Sequence, residues 1–145
     1  MALIHKSLYQ RENLADLEMK SYISQLSSSL VDAYQGDEQN ISVQIQMEEL
    51  ELNVEKAIPV GLIINELITN SLKYAFENKK VGLIHISFYK NESGQFKIQL
   101  KDDGIGKNVS ISDGFGTQLV KLLTRQIEGT FTEIPSVGYS CEIVF

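Results

Sequence analysis

The sequence predicts an α+β protein in which one mixed sheet is covered by helices on one face. Three observations carry that expectation. Apolar residues recur at three- and four-residue spacing from Met19 to Leu30, two alternating segments flank the turn Asn91-Glu92-Ser93-Gly94, and strand-like runs gather toward the C-terminal end with helices between them. At 145 residues the chain is long enough for one domain with a real core and too short for two.

Taken in order, Leu3–Gln10 is short and helical in character. A second helix follows the break at Asn13-Leu14-Ala15-Asp16 and runs to about Tyr34, with Met19, Tyr22, Ile23, Leu26 and Leu30 on its apolar stripe. Gly36-Asp37 ends it. Ile41–Met47 reads as a strand with Ile41, Val43, Ile45 and Met47 on one face. Pro59 fits an early position of the next helix, where its missing N–H costs little. That helix continues to about Phe76 and shows no convincing N-cap. Strands near Leu83–Lys90 and Gln95–Asp102 form a hairpin. A glycine-rich loop then leads to a helix from about Thr117 to Glu128, with Gly129 as its C′ residue. Thr130–Glu133 and Tyr139–Phe145 make a closing hairpin through Pro135 and Gly138.

Composition narrows the functions available. A net charge of −6 argues against a nucleic-acid partner, because neutralising phosphates needs a basic face. No apolar run approaches the roughly 18 residues that mark a membrane span, and the start MALIHKSLYQ lacks a signal-peptide core, so no direct membrane insertion is expected. The single cysteine, Cys141, falls on the buried side of the last strand. It reads as a core thiol without an internal disulfide partner, which suits the cytoplasm.

On a wheel of about 100° per residue, Glu66, Asn70, Lys73 and Glu77 share one face of the central helix, opposite Ile64, Leu67, Ile68, Leu72 and Ala75. A solvated face would look much the same. The mixture of acid, amide and cation is more specific: a carboxylate can orient water, an amide oxygen can ligate Mg²⁺, and a lysine can neutralise phosphate. Asn65-Glu66-Leu67-Ile68-Thr69-Asn70-Ser71-Leu72-Lys73-Tyr74-Ala75-Phe76 resembles the N box of the GHKL ATP-binding proteins. The preceding Ile58-Pro59-Val60-Gly61-Leu62-Ile63 resembles the approach to that box in the HisKA_2 histidine kinases. The resemblance implies that Asn70 binds magnesium, that Glu66 lies near the metal and the attacking group, that Lys73 contacts phosphate, and that Tyr74 lines the nucleotide pocket.

Asp102-Asp103-Gly104-Ile105-Gly106 follows a strand in which Phe96, Ile98 and Leu100 alternate inward. Parity therefore places Asp102 on the inward face and Asp103 on the other. A carboxylate ending an apolar stripe is costly unless something donates to it. An adenine amino group is such a donor, whereas guanine would present a carbonyl oxygen. A plain turn with two solvated aspartates is the bland alternative. The segment resembles the G1 box of the same family, which implies that Asp102, with Gly104 and Gly106, recognises adenine. Gly114-Phe115-Gly116-Thr117 opens a helix, where free amides favour anions, and it resembles the G2 box that closes the ATP lid. Lys107–Asp113 between the boxes is short and lacks the aromatic F box of longer-lidded kinases.

The resemblance covers nearly the whole chain. It implies the Bergerat fold, a two-layer α/β sandwich with a mixed, mostly antiparallel sheet covered on one face by about three helices. It also implies a division into residues 1–13, a remnant of the second dimerisation helix and linker, and residues 14–145, an ATP-binding catalytic domain. Leu3–Gln10 with Asn13-Leu14-Ala15 resembles that helix and its exit. The expected activity is transfer of the ATP γ-phosphoryl group to a histidine on a dimerisation domain absent from this chain. His5 is expected to be a structural or exposed residue, and His85 a structural one. The partners so implied are ATP with Mg²⁺, the histidine-bearing domain, a downstream response regulator and, for the full-length protein, a second copy. Alternatives are a gyrase-like ATPase, an anti-sigma-type serine kinase, and a non-catalytic nucleotide-sensing module.

Overall fold

A computed structural model of the chain describes residues 16–105 and 115–145. In chain order the elements are β1 (Asp16–Glu18), α1 (Met19–Tyr34), β2 (Asn40–Met47), β3 (Glu51–Asn53), α2 (Val54–Asn70), β4 (Val81–Lys90), β5 (Phe96–Asp102), α3 (Phe115–Gln126), β6 (Thr130–Glu133) and β7 (Ser140–Val144). The first predicted segment, Leu3–Gln10, and the division near residue 13 lie outside the described residues.

Five strands form one sheet in the order β2-β4-β5-β7-β6. Among the described residues only β2–β4 of this sheet is parallel and the other three pairs are antiparallel, so the sheet is mixed and mostly antiparallel as expected. Alternation decides its faces. Ile84, Ile86 and Phe88 of β4, Ile98 and Leu100 of β5, and Cys141 and Ile143 of β7 are buried. They meet Met19, Ile23 and Leu26 of α1, Ile63, Ile64 and Ile68 of α2, and Val120 and Leu123 of α3 in one core. Each large aliphatic side chain so buried contributes about 1.5–3 kcal/mol. The other face carries polar residues: Ser87 Oγ donates to Gln99 Oε1 (3.4 Å), Gln99 Nε2 donates to Glu142 Oε2 (3.0 Å), and Lys97 pairs with Glu142 (3.3 Å). His85 stands on this face, paired across the sheet with Lys101.

The predicted hairpin forms with Lys90 opposite Phe96. Asn91 Oδ1 accepts from the amides of Ser93 and Gln95, both at 3.0 Å, and Gly94 takes φ 83°, the left-handed conformation that a glycine adopts without strain.

Several expectations need correction. The short antiparallel pair β1–β3 was not foreseen. Helix α2 starts at Val54, and its N-cap is Asn53, whose side chain accepts from the Lys56 amide at 3.0 Å. Pro59 is therefore its sixth residue, a full turn beyond the position expected. The helix tolerates it there although the Glu55 carbonyl loses its usual i+4 donor. At its far end the helix does not continue as α: Ser71–Ala75 forms a π-helical turn. The left-handed residue closing α3 is Glu128 (φ 58°) rather than Gly129. Glu128 N donates to Arg125 O and Gly129 N to Thr124 O, both 2.9 Å, which is the Schellman pattern with Glu128 at C′. Gly129 serves a different end, because a Cβ there would lie 2.8 Å from the Val144 carbonyl oxygen.

Candidate functional site

The π-turn, the end of β5, the start of α3 and the β6–β7 hairpin converge on one cleft. Leu67, Ala75, Val120 and Phe131 give it apolar walls, and Asn70, Ser71, Tyr74, Asp102, Thr117, Glu133 and Tyr139, residues with polar groups, complete its lining. Apolar walls with a few convergent polar groups are the usual construction of a small-molecule site.

Asp102 is its most constrained member, at 2% exposure. Oδ1 accepts from the amides of Gly104 (3.0 Å) and Tyr139 (3.1 Å), and Oδ2 accepts from Ser71 Oγ (2.8 Å). The parity argument thus located the carboxylate correctly, and the chain itself supplies three donors that offset its burial. A carboxylate has about four acceptor positions, so one on Oδ2 is available to a ligand.

The loop after Asp102 is held tightly. Ile105 N donates to the Ala75 carbonyl at 2.9 Å, and a Cβ on Gly104 would collide with that same carbonyl. A Cβ on Gly138 would run into the Asp102 carbonyl oxygen. These two glycines let three backbone segments close on one another around the carboxylate. Asp103, on the outer side as parity requires, accepts the Leu83 amide on Oδ1 at 2.8 Å, while its carbonyl accepts Lys79 Nζ at 2.6 Å.

Burial pushes the Tyr139 hydroxyl far above its ordinary range, with Cys141 and Glu133 beside it adding to the shift. Burial also pushes the Cys141 thiol up to about 12. Both groups are therefore protonated near neutrality, and Cys141 is an inert core residue, 1% exposed.

Of the residues singled out in the sequence, the structure brings Asn70, Tyr74, Asp102 and Thr117 to one cleft, with Gly104 packed at its edge. Phe115 and Gly116 begin α3; Gly106, Gly114 and the short segment between the glycine boxes lie outside the described residues. Glu66 is half-buried one turn before Asn70, and neither it nor Lys73 is among the residues that line the cleft. Lys73 Nζ stands 5.4 Å from the centre of the Tyr34 ring at the end of α1. Sequence reasoning missed Ser71, Phe131, Glu133 and Tyr139. Ser71 adjoins Asn70 and so lay in view. The other three come from the closing hairpin, and no local pattern told that they face the helix end.

Comparison with known proteins bears on the fold. Residues 1–34 match the HisKA_2 family, described as histidine kinase. A stretch of 66 residues is 30% identical to blue-light-activated histidine kinase 2 of Erythrobacter litoralis, covering 46% of this chain and 19% of that protein. The anti-sigma F factor of Priestia megaterium is 24% identical over 106 residues, 73% of this chain and 56% of the relative. The chain thus spans about a fifth to a little over half of the curated relatives it matches. Among solved structures, the histidine kinase domain of the E. litoralis EL346 blue-light activated kinase superposes with TM-score 0.83 at 20% identity, over 99% of this chain and 69% of that one. The ATP binding domain of PrrB from Mycobacterium tuberculosis superposes with TM-score 0.66 at 15% identity, over 89% and 93%. At such identities the structural likeness establishes the fold. Residues 1–34 are therefore similar to the HisKA_2 histidine kinase family, and the described part of the chain has the fold of the solved histidine kinase ATP-binding domains.

Proposed function

We propose that residues 14–145 are the ATP-binding catalytic domain of a two-component sensor histidine kinase, with residues 1–13 the end of its second dimerisation helix. The observation that carries this is the buried Asp102 carboxylate in the cleft, with a remaining acceptor position on Oδ2. Adenine offers an amino donor for that position, and guanine does not. Tyr74 and the apolar walls would flank the base, and Asn70, Thr117 and the first turn of α3 would lie toward the triphosphate.

Magnesium suits this donor set. Among the described residues no group of three or more His, Cys, Asp or Glu side chains gathers as a metal cage. Mg²⁺ is usually held through one or two protein ligands plus substrate phosphates and water. Asn70, which lines the cleft, would supply one hard amide oxygen, and Glu66 one turn earlier is the second candidate. When bound, the ion would neutralise phosphate charge. The domain would then hold the γ-phosphoryl group for in-line attack by an imidazole, which is nucleophilic in its neutral form near pH 7. The roles of Glu66 in orienting that histidine and of Lys73 in meeting phosphate rest on the motif rather than on the cleft. The phosphohistidine would pass to a response regulator, and the full-length protein would act as a homodimer. No helix among the described residues is long and apolar enough to cross a membrane. The reduced, buried Cys141 supports a cytoplasmic place of action.

Calorimetric titration with ATP, ADP and GTP, with and without Mg²⁺, tests the reading. Adenine-selective binding that disappears in Asp102→Ala is expected; a folded protein that binds no nucleotide removes the proposal. With a histidine-bearing dimerisation domain added, Asn70→Ala should abolish Mg²⁺-dependent transfer. The anti-sigma relative keeps serine-kinase activity as a second reading, and acid-stable rather than acid-labile phosphoprotein would decide for it.

A further inference from the structure

Ser71 enters the cleft because of the π-turn that begins with it. Its amide is tied to the carbonyls of Leu67 and Ile68, so the backbone is fixed and the hydroxyl rotor is its remaining freedom. The side chain is 3% exposed, and its hydroxyl donates to Asp102 Oδ2 at 2.8 Å. Asp102 cannot turn away, since its other oxygen is held by the amides of Gly104 and Tyr139. The cleft therefore presents a fixed acceptor, Oδ2, beside a rotatable donor–acceptor, Oγ, one hydrogen-bond length apart.

We infer that Ser71 is a base-reading residue, its hydroxyl turning from Asp102 to donate to the ring nitrogen N1 of adenine while Asp102 Oδ2 accepts the adjoining 6-amino group. This rests on the ATP reading above and goes further, because it assigns the second half of the selection. Adenine carries an amino donor next to a ring-nitrogen acceptor, and the Oδ2/Oγ–H pair is the complement of that order. Guanine and hypoxanthine carry a carbonyl next to a ring N–H, the reverse order, and would meet a mismatch at both positions. The exchange leaves nothing buried without a partner: Oδ2 gives up the serine proton and gains the amino proton, and the serine proton moves to N1. A site that rejects by unpaired buried groups discriminates more sharply than one that rejects by size.

The test is calorimetry with ATP and with 1-deaza-ATP, in which a C–H replaces N1 and the amino group is kept. The native chain should bind 1-deaza-ATP about tenfold more weakly than ATP, the equivalent of one buried hydrogen bond. Ser71→Ala should weaken ATP by a similar factor and bring the two nucleotides to equal affinity. Ser71→Cys, of similar shape with a weaker donor, should fall between, and urea unfolding of each variant confirms that the fold is present. Equal binding of both nucleotides by the native chain overturns the inference. So does a folded Ser71→Ala or Ser71→Cys variant that keeps the native ratio, because a serine serving only to steady Asp102 would leave that ratio unchanged. Failure of the native chain to bind ATP at all strikes instead at the ATP reading, and takes this inference with it.

Discussion

Replacing Asp102 by asparagine changes the charge of the carboxyl and scarcely its shape, so its consequences follow from hydrogen bonds alone. The amide oxygen must occupy the Oδ1 position, because the Gly104 and Tyr139 amides both donate there. The amide nitrogen then takes the Oδ2 position, and the Ser71 hydroxyl turns to accept from it. All the pairs survive, but each passes from a charge-assisted bond to a neutral one, a difference of about 1 kcal/mol apiece, so a stability loss of about 2–3 kcal/mol is expected. Against a typical total of about 5–15 kcal/mol the domain stays folded. At the cleft the effect is larger in kind, since a donor now faces the base where an acceptor stood. ATP should weaken about 30- to 100-fold, or about 2–3 kcal/mol. Inosine triphosphate, with a carbonyl and a ring N–H in place of the amino group and N1, should bind the variant more tightly than ATP does. Urea denaturation followed by circular dichroism gives the first quantity and calorimetry the second. An asparagine variant that keeps native ATP affinity, or that prefers ATP to inosine triphosphate, would refute the assignment of Asp102 as the reader of the amino group.

Gly104→Ala should destabilise the domain by about 2 kcal/mol or more and open the cleft, because its Cβ meets the backbone carbonyl of Ala75 rather than a yielding side chain; thermal unfolding and ATP titration together check it. Glu128→Gly should stabilise by about 0.5–1 kcal/mol, since a β-carbon is removed from a left-handed position, with a raised urea midpoint as the sign. For Cys141 the folded pKa, about 12, lies above the unfolded value near 9. Its contribution is therefore fully present below about pH 9 and lost as pH rises toward 12, with a limiting slope of about 1.4 kcal/mol per pH unit. Cys141→Val should flatten the stability profile in that window by one proton's worth, and native Cys141 should react with a thiol reagent only on unfolding.

The parts legible in the sequence were those set by local periodicity. The inward run Phe96, Ile98, Leu100 fixed the side on which Asp102 falls, and the Asn91–Gly94 turn located the hairpin. The buried face Ile64, Leu67, Ile68, Leu72 and Ala75 followed from helical spacing, even though the last two stand in a π-turn. What escaped depended on competition between neighbours or on distant contacts. Pro59 drew the helix start toward itself, when Asn53, a good capping residue just ahead of Val54, had already set it. Gly129 looked like the left-handed residue because glycine adopts that conformation cheaply, yet the Val144 carbonyl claimed the space a side chain would need. The place of Lys73 over Tyr34 depends on where α1 ends against the π-turn, which no spacing rule contains.

Strand β7 lies between β5 and β6 although it comes last of the three in the chain. During synthesis β5 leaves the ribosome with one flank unpaired, and its Ile98 and Leu100 wait for a neighbour that is some forty residues away. Until β7 arrives the Tyr139 amide is missing from Asp102, so the cleft cannot mature before the sheet does. A nascent or truncated chain ending ahead of Ser140 would present an open strand edge rather than a weakened pocket, and its hazard is self-association. Ligand binding then reports on completion of the whole domain: only a chain with β7 in place has a cleft for nucleotide to stabilise.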